Sequence, residues 1–325
     1  MTFPLSCRGT RHPMFIVPSQ SARILSQGHR VNCYPVFYLC FAKATYMKKL
    51  FAILIMISLS DTAVTAQSTG KYANVNGLKM YYEVHGNGYP LVLIHGGGST
   101  IGTSFGRILP ALAKTHKIIA VELQAHGHTA DIDRPLSFEQ DADDVAELLK
   151  QLHISKADIF GFSNGASTTL EIAIRHPELV NKIIVASTMY KKAGSYPWFL
   201  DMMTHASFDG MPQGLKDAYL QINPDTNALY TMYKRDVARM QSFKDIKEED
   251  IKGIKAPALI IAGNNDVVSP EHAVEMYRQM QHAQVVILPG GHGDYMGEIT
   301  TVKPGHNEYP VLPIVETFLN EAIKK

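Results

Sequence analysis

The amino-acid sequence predicts an α/β protein with a doubly wound, mostly parallel sheet into which a helical segment is inserted. Three observations lead to this prediction. Short apolar runs, of the length of buried strands, recur along the chain from residue 91 onward. Segments with helical spacing of apolar residues separate most of these runs. One stretch, residues 190–252, breaks the alternation, because it is rich in methionine and aromatic residues and has no clear strand pattern.

Length and charge narrow the range of functions. The chain has 325 residues, enough for one large α/β domain or two small ones, and a formal net charge of +1. A charge so close to zero gives no reason to expect a nucleic acid as partner. All three cysteines, Cys7, Cys33 and Cys40, precede residue 47. We therefore expect no disulfide, no zinc–thiolate site and no cysteine nucleophile in the folded part.

The N-terminal region has the layout of an export signal. The segment MKKLFAILIMISLSDTAVTAQ, residues 47–67, has two lysines, an apolar run of about ten residues and small residues before Gln67. This predicts a signal peptide over 47–66 and a true translation start at Met47. The N-terminal extension over 1–46 is then either the product of an over-called upstream start or disordered. The protein is then exported to a bacterial periplasm or the medium, without stable membrane association after cleavage. An uncleaved anchor is the alternative.

The first elements of the folded part form a predicted hairpin. Two strand-like segments flank Asn76-Gly77, and both positions of such a two-residue turn need positive φ. Six apolar runs follow that are typical of buried parallel strands: 91–94, 118–121, 159–160, 183–186, 259–262 and 285–288.

Three segments between these runs have helical patterns. Residues 139–152 place Val145, Leu148, Leu149 and Leu152 on one face. Residues 166–175 form the second, which ends at His176-Pro177, and residues 271–280 form the third. Strands that alternate with helices in this way indicate right-handed crossovers and a parallel sheet.

A serine lies between two glycines at the end of one predicted strand, in Gly161-Phe162-Ser163-Asn164-Gly165. A strand before and a helix after are the context of a nucleophile elbow, in which the serine lies on a strained turn above the sheet. Side chains at either glycine would collide with the neighbouring strand or helix. A serine that only caps the helix N-terminus is the alternative.

A glycine run follows the strand at 91–94, in His95-Gly96-Gly97-Gly98. If Ser163 is the nucleophile, the backbone N–H groups of Gly97 and Asn164 are the natural donors to an oxyanion. A dinucleotide-binding loop is the alternative, because Glu122 follows about twenty residues later, where a ribose-binding acid belongs. The glycine spacing is irregular for that role, and the dehydrogenase-like pair Tyr230 and Lys234 falls in the irregular insert.

Two further polar residues follow predicted strands. Asp266 comes just after the strand at 259–262, and His292 just after the strand at 285–288. The carboxyl ends of parallel strands are where an open α/β sheet builds its site. The order Ser163, Asp266, His292 is the triad order that accompanies this type of elbow. His306 is the fallback base. His126 and His128 lack a third ligand at a sensible spacing, so no metal site is predicted.

These motifs resemble those of the α/β-hydrolase fold family over residues 70–325. The resemblance is carried by HGGGST, VELQAHGHT, FGFSNGAS, AGNNDVVSP and GGHGD. It implies a hydrolase core over 67–189 and 253–325, with residues 190–252 as a helical cap over the site. In the family a glycine more often stands at the position of Ala125, and the elbow is often G-x-S-M-G-G.

The sequence therefore predicts a serine hydrolase. Ser163, Asp266 and His292 are the expected triad, and Gly97 and Asn164 the oxyanion hole, with no cofactor. The expected partner is a small-molecule ester of modest size with an apolar part; lactone, amide or carbon–carbon bond cleavage, and the oligomeric state, stay open. A ligand-binding or sensing protein with little turnover is the alternative. The expected substrate-binding residues are His95, Gly96, Gly98, Met189, Trp198 and Phe199.

Overall fold

A computed structural model of the chain describes residues 70–303, 305 and 308–322. The predicted extension 1–46, the signal peptide 47–66 and the fallback base His306 lie outside the described residues and stay predictions.

One eight-stranded sheet forms the centre of the fold, in the order β1-β2-β4-β3-β5-β6-β7-β8. The pairs β1/β2 and β2/β4 are antiparallel, and all other neighbours are parallel, so the sheet is mostly parallel as predicted. The strands are β1 (Lys71–Val75), β2 (Leu78–His85), β3 (Tyr89–Ile94), β4 (His116–Glu122), β5 (Ala157–Phe162), β6 (Val180–Ala186), β7 (Ala258–Gly263) and β8 (Ala283–Leu288).

The hairpin at the start of the sheet has the predicted turn. Asn76 and Gly77 have φ of 48° and 86°, and Val75 pairs with Leu78 across the turn. Positive φ at both positions gives the turn a twist that matches the strands it joins.

Helices cover both faces of the sheet. They are α1 (Ile101–Phe105), α2 (Leu109–Leu112), α3 (Phe138–Gln151), α4 (Asn164–Arg175), α5 (Pro197–Thr204), α6 (Gln213–Ile222), α7 (Thr226–Gln241), α8 (Glu248–Gly253), α9 (Pro270–Gln279) and α10 (Val311–Asn320). Along β3, Leu91 and Leu93 pack into one core with α1, α2 and α10. Val92 and Ile94 pack into the other core, with α3, α4 and α9. None of the helices in the described part of the chain is long and apolar enough to cross a membrane.

The insertion, residues 190–252, is helical and contains α5, α6 and α7. It has a small core of its own, in which Tyr219, Leu229 and Met232 pack against Ala125 of the sheet domain. Ala125 stands where the family more often has glycine, and its φ of 69° is a conformation that glycine adopts without strain. In the last helix of this stretch, α8, Ile251 packs into the same core as residues of α3, α4 and α9.

Candidate active site

Ser163 lies on a strained turn between β5 and α4, with φ 55° and ψ −121°. The flanking glycines make this turn possible. A Cβ at Gly161 would lie 2.1 Å from the Gly165 carbonyl oxygen, and a Cβ at Gly165 would lie 2.1 Å from the Ile94 carbonyl oxygen. A conformation this sparsely populated costs about 1–3 kcal/mol and persists only where packing enforces it. The sterics are those expected of a nucleophile elbow.

The helix after the turn begins at Asn164, two residues earlier than the predicted start at 166. Ser163 therefore occupies the N-cap position of α4, yet its hydroxyl makes no capping hydrogen bond to the helix. Its Oγ instead lies 3.0 Å from His292 Nε2. The helix-capping interpretation does not describe this serine.

His292 lies between Ser163 and Asp266. Its Nδ1 is 2.6 Å from Asp266 Oδ1, and its Nε2 faces the serine hydroxyl. An N–H at Nδ1 donates to the carboxylate, which leaves the Nε2 lone pair to accept the hydroxyl proton. The chain thus brings together three side chains that are up to 129 residues apart in sequence.

Several donors hold the Asp266 carboxylate in place. Oδ1 accepts from the Val267 N–H at 2.7 Å, and Oδ2 accepts from the Gly263 N–H at 3.1 Å and from the Ser187 hydroxyl. Burial alone would raise the pKa of Asp266, but His292 and these donors outweigh it, so the pKa lies below its ordinary value. The carboxylate is therefore ionised and available to orient the imidazole.

Sequence reasoning missed Ser187 and Tyr295. Ser187 follows β6 directly, has φ 55°, and is buried. Its Oγ donates to Asp266 and lies 2.6 Å from the hydroxyl of Tyr295, which is also buried. The signal that could have found Ser187 is its place at the carboxyl end of a parallel strand, the same rule that singled out Asp266 and His292.

The glycine loop lies against the start of α4. A Cβ at Gly97 would lie 2.3 Å from Asn164 Nδ2, so a larger residue there would displace the Asn164 side chain. Among the described residues, neither the Gly97 N–H nor the Asn164 N–H donates a hydrogen bond to another group. Both residues border the same cavity as Ser163 and His292. Two N–H donors without a partner thus lie at the cavity that Ser163 borders, as the expected oxyanion hole requires.

A cavity of about 450 Å³ lies above Ser163, between the sheet domain and the insertion. Of the residues expected to bind substrate, Gly98, Met189 and Phe199 line it. Further walls come from Met202, Met203, Met211, Met240, Leu215 and Val237 of the insertion.

The other three expected substrate-binding residues do not line this cavity. His95 is 1% exposed and joins two loops, since Nδ1 donates to the Gly96 carbonyl oxygen and Nε2 accepts from the Leu123 N–H. Burial lowers the pKa of His95 to about 3, so the ring is neutral. Gly96 packs beneath the site, where a Cβ would lie 3.2 Å from Ser163 Cβ. Trp198 is 55% exposed, on the outer side of α5.

The two histidines after β4 contact different carboxylates. His126 Nε2 lies 2.9 Å from Asp236, and His128 Nδ1 lies 2.8 Å from Glu122. Glu122 is buried and accepts from the His128 N–H as well, so it is not free to bind a ribose. Within the part of the chain that the structure describes, no group of three histidine, cysteine or acidic side chains is arranged to hold a metal ion.

The chain is similar in sequence and in fold to known proteins. A sequence model of the alpha/beta hydrolase family matches residues 91–298. Serine hydrolase BPHL of Homo sapiens is 26% identical over 247 residues, which cover 70% of this chain and 80% of the relative. The pimeloyl-(acyl-carrier protein) methyl ester esterase of Nitrosospira multiformis is 26% identical over 240 residues, 65% of this chain and 90% of the relative.

A solved structure is similar in fold. It is a serine hydrolase involved in carbazole degradation, the CarC enzyme, with a TM-score of 0.63 and 23% sequence identity. The match covers 78% of this chain and 98% of that one.

Proposed function

Because this chain belongs to the alpha/beta hydrolase family and is a hydrolase of that type, we propose that it is a serine esterase. It hydrolyses a carboxylic ester of a small to medium, uncharged and apolar substrate through an acyl-enzyme. One observation carries the proposal: His292 links the Ser163 hydroxyl, at 3.0 Å, to the buried Asp266 carboxylate, at 2.6 Å.

The reaction follows from these contacts. Ser163 Oγ attacks the ester carbonyl carbon while its proton passes to His292 Nε2. Asp266 stabilises the imidazolium that forms. The carbonyl oxygen gains the electron pair and accepts hydrogen bonds from the N–H groups of Gly97 and Asn164. When the tetrahedral intermediate collapses, the alcohol leaves with the proton from His292, and water then cleaves the acyl-enzyme by the same steps.

The cavity supports an apolar and uncharged substrate. Five methionines line it, and methionine side chains adapt to ligands of irregular shape. Its described lining contains no lysine or arginine, so a carboxylate on the substrate would lose hydration without gaining a permanently charged cationic partner. That the Nitrosospira relative is named an esterase supports the choice of bond.

Covalent labelling tests the proposal. A fluorophosphonate probe should form an adduct that mass spectrometry locates at Ser163, and p-nitrophenyl butyrate should be hydrolysed. Ser163→Ala should abolish the adduct and lower kcat by several orders of magnitude, although catalysis of about 10³–10⁴ over water can persist without a triad member. Equal rates for both proteins, with no label at Ser163, would instead favour a ligand-binding protein of the same fold.

We also propose export, on the basis of the signal-like segment over 47–66. N-terminal sequencing of the protein recovered from the periplasm or medium should find a mature end at Gln67. A mature end well before residue 60 would contradict the proposal.

A further inference from the structure

A buried ionic cluster joins the insertion to the sheet domain next to the active site. It consists of Asp236 and Arg239 from α7, His126 from the loop after β4, and Asp141 from α3. Arg239 donates to Asp141 Oδ2 at 2.7 Å and also to Asp236 Oδ1. All four residues are buried. Buried charges are costly to desolvate, and such a cluster is weak evidence for stability, so a role other than stability has to be considered.

The cluster ends on the glycine loop of the active site. Asp236 Oδ2 accepts a hydrogen bond from the Gly98 N–H at 2.5 Å, across 138 residues of sequence. The same oxygen would lie 3.3 Å from a Cβ at Gly97, so the carboxylate lies directly against both glycines. Three consecutive glycines have little conformational preference of their own. The Gly97 N–H therefore depends on outside contacts to hold its direction.

The contacts of the Asp236 carboxylate define what it can do. Oδ1 accepts from Arg239, and Oδ2 accepts from both the Gly98 N–H and His126 Nε2, 2.9 Å away. Burial alone would raise the pKa of Asp236, but His126 and Arg239 together hold it well below the ordinary range. An ionised carboxylate with both oxygens occupied is not placed to take a proton from substrate. It is placed to hold a backbone group.

We propose that Asp236 is a positioning residue that fixes the Gly97–Gly98 loop, so that helix α7 of the insertion is needed to complete the oxyanion hole. This inference rests on the proposed function, since it assigns Gly97 as an oxyanion donor. Positioning matters here because a donor stabilises the transition state only where it points at the developing charge.

The consequence is a specific kinetic signature. A misdirected Gly97 N–H weakens an interaction made in the transition state and leaves the apolar contacts of the bound substrate unchanged. Loss of one oxyanion donor lowers kcat about 10²–10³-fold in a well-studied protease. Since Asp236→Ala misdirects the donor without removing it, we expect kcat to fall about 10–100-fold and KM to change less than threefold.

The test is a graded series of variants with a matched control. Asp236→Asn keeps an oxygen that can accept from Gly98, but a neutral acceptor makes a bond about half as strong, so kcat should fall by an intermediate factor, about 3–10-fold. Asp141→Asn removes the other carboxylate partner of Arg239 and leaves the Gly98 contact in place. It should leave kcat within threefold of wild type.

A tetrahedral inhibitor separates positioning from general damage. An alkylboronic acid that adds to Ser163 should lose affinity for the Asp236 variants by about the same factor as kcat, while an apolar ketone that does not form an adduct binds unchanged. If Asp236→Ala does not fold, Asp236→Asn alone decides. A decrease in kcat with Asp141→Asn as large as with Asp236→Asn, or a change confined to KM, would overturn the inference. Failure of wild type to label at Ser163 would instead overturn the proposed function.

Discussion

Replacing Ser187 by alanine tests the part of the site that the sequence did not reveal. The Ser187 hydroxyl donates to Asp266 and accepts from Tyr295, and both partners are buried. Loss of a hydrogen bond to a charged group costs about 1.5–3 kcal/mol, and a buried hydroxyl left without a partner costs about 1–3 kcal/mol. Since the two effects overlap, Ser187→Ala should lower the free energy of unfolding by about 2–4 kcal/mol.

The effect on catalysis should be smaller than the effect on stability. His292 contacts Oδ1 of Asp266, whereas Ser187 contacts Oδ2, which also keeps the Gly263 N–H at 3.1 Å. The carboxylate is ionised in both the resting enzyme and the transition state. Loss of the Ser187 hydrogen bond therefore raises the free energies of both states by similar amounts and changes the activation free energy little. We expect kcat/KM to fall about 3–10-fold, against the roughly 10⁴-fold decrease in kcat that follows loss of an orienting carboxylate.

The pH dependence gives this prediction a distinctive signature. Asp266 has a folded-state pKa below its ordinary value of 3.8, so it contributes stability above that pH, and this contribution is lost as the pH falls through the folded-state pKa. Ser187→Ala removes a donor and makes this contribution smaller. The difference in free energy of unfolding between wild type and variant, measured by urea unfolding, should therefore be largest near pH 7 and become smaller below about pH 4.

Tyr295→Phe is the matched control. It removes the hydroxyl that donates to Ser187 but leaves Ser187 able to donate to Asp266, so kcat/KM should stay within twofold of wild type. A decrease in kcat/KM with Tyr295→Phe as large as with Ser187→Ala would refute this prediction. A gap in unfolding free energy that is the same at pH 3 and pH 7 would refute it as well.

Three further predictions concern packing, charge and specificity. Gly165→Ala should prevent formation of the elbow and abolish ester hydrolysis, because its Cβ would lie 2.1 Å from the Ile94 carbonyl oxygen; circular dichroism and the ester assay check this. Burial raises the pKa of Glu171 from 4.5 to about 7, so the free energy of unfolding should fall as the pH rises from 4.5 to 7. Glu171→Gln should remove this decrease. In urea titrations at pH 8 the variant should be more stable than wild type by about 1–2 kcal/mol, a value that allows for solvent screening. Phe199→Ala should change the preference for acyl chain length at least fivefold across a series of p-nitrophenyl esters, whereas Trp198→Ala should leave kcat/KM within twofold.

Much of the site could be predicted because it depends on local rules. The glycines around Ser163 are needed because a side chain there would collide with atoms only a few residues away along the chain, apart from the contact with Ile94 on a neighbouring strand. Asp266 and His292 follow strand ends, and the topology of a parallel sheet brings such ends to one edge. The elbow, the strands and the residues proposed for the triad were therefore accessible from the sequence.

Other features depend on how distant segments pack. In α5, the sequence PWFLDMMT is apolar on most of its circumference, so its pattern does not show which side faces the cavity. The structure turns Phe199 toward the cavity and Trp198 toward solvent. The contact of Asp236 with Gly98 likewise requires that α7 lie over the glycine loop, which no local rule predicts.

The two parts of the molecule contribute differently to the proposed reaction. The sheet domain supplies Ser163, His292 and Asp266 from short loops after strands. Backbone hydrogen bonds hold the Ser163 main chain and the Asp266 carboxylate, and Asp266 in turn contacts the His292 ring. The insertion supplies apolar walls of the cavity and, through Asp236, a hydrogen bond to the glycine loop. Apolar substitutions on the cavity side of α5 should therefore act mainly on KM and on the choice of substrate, since walls bind ground state and transition state alike. Substitutions in the insertion that lower kcat should include those at Asp236, because Asp236 accepts a hydrogen bond from the loop whose Gly97 N–H is proposed to act in the transition state.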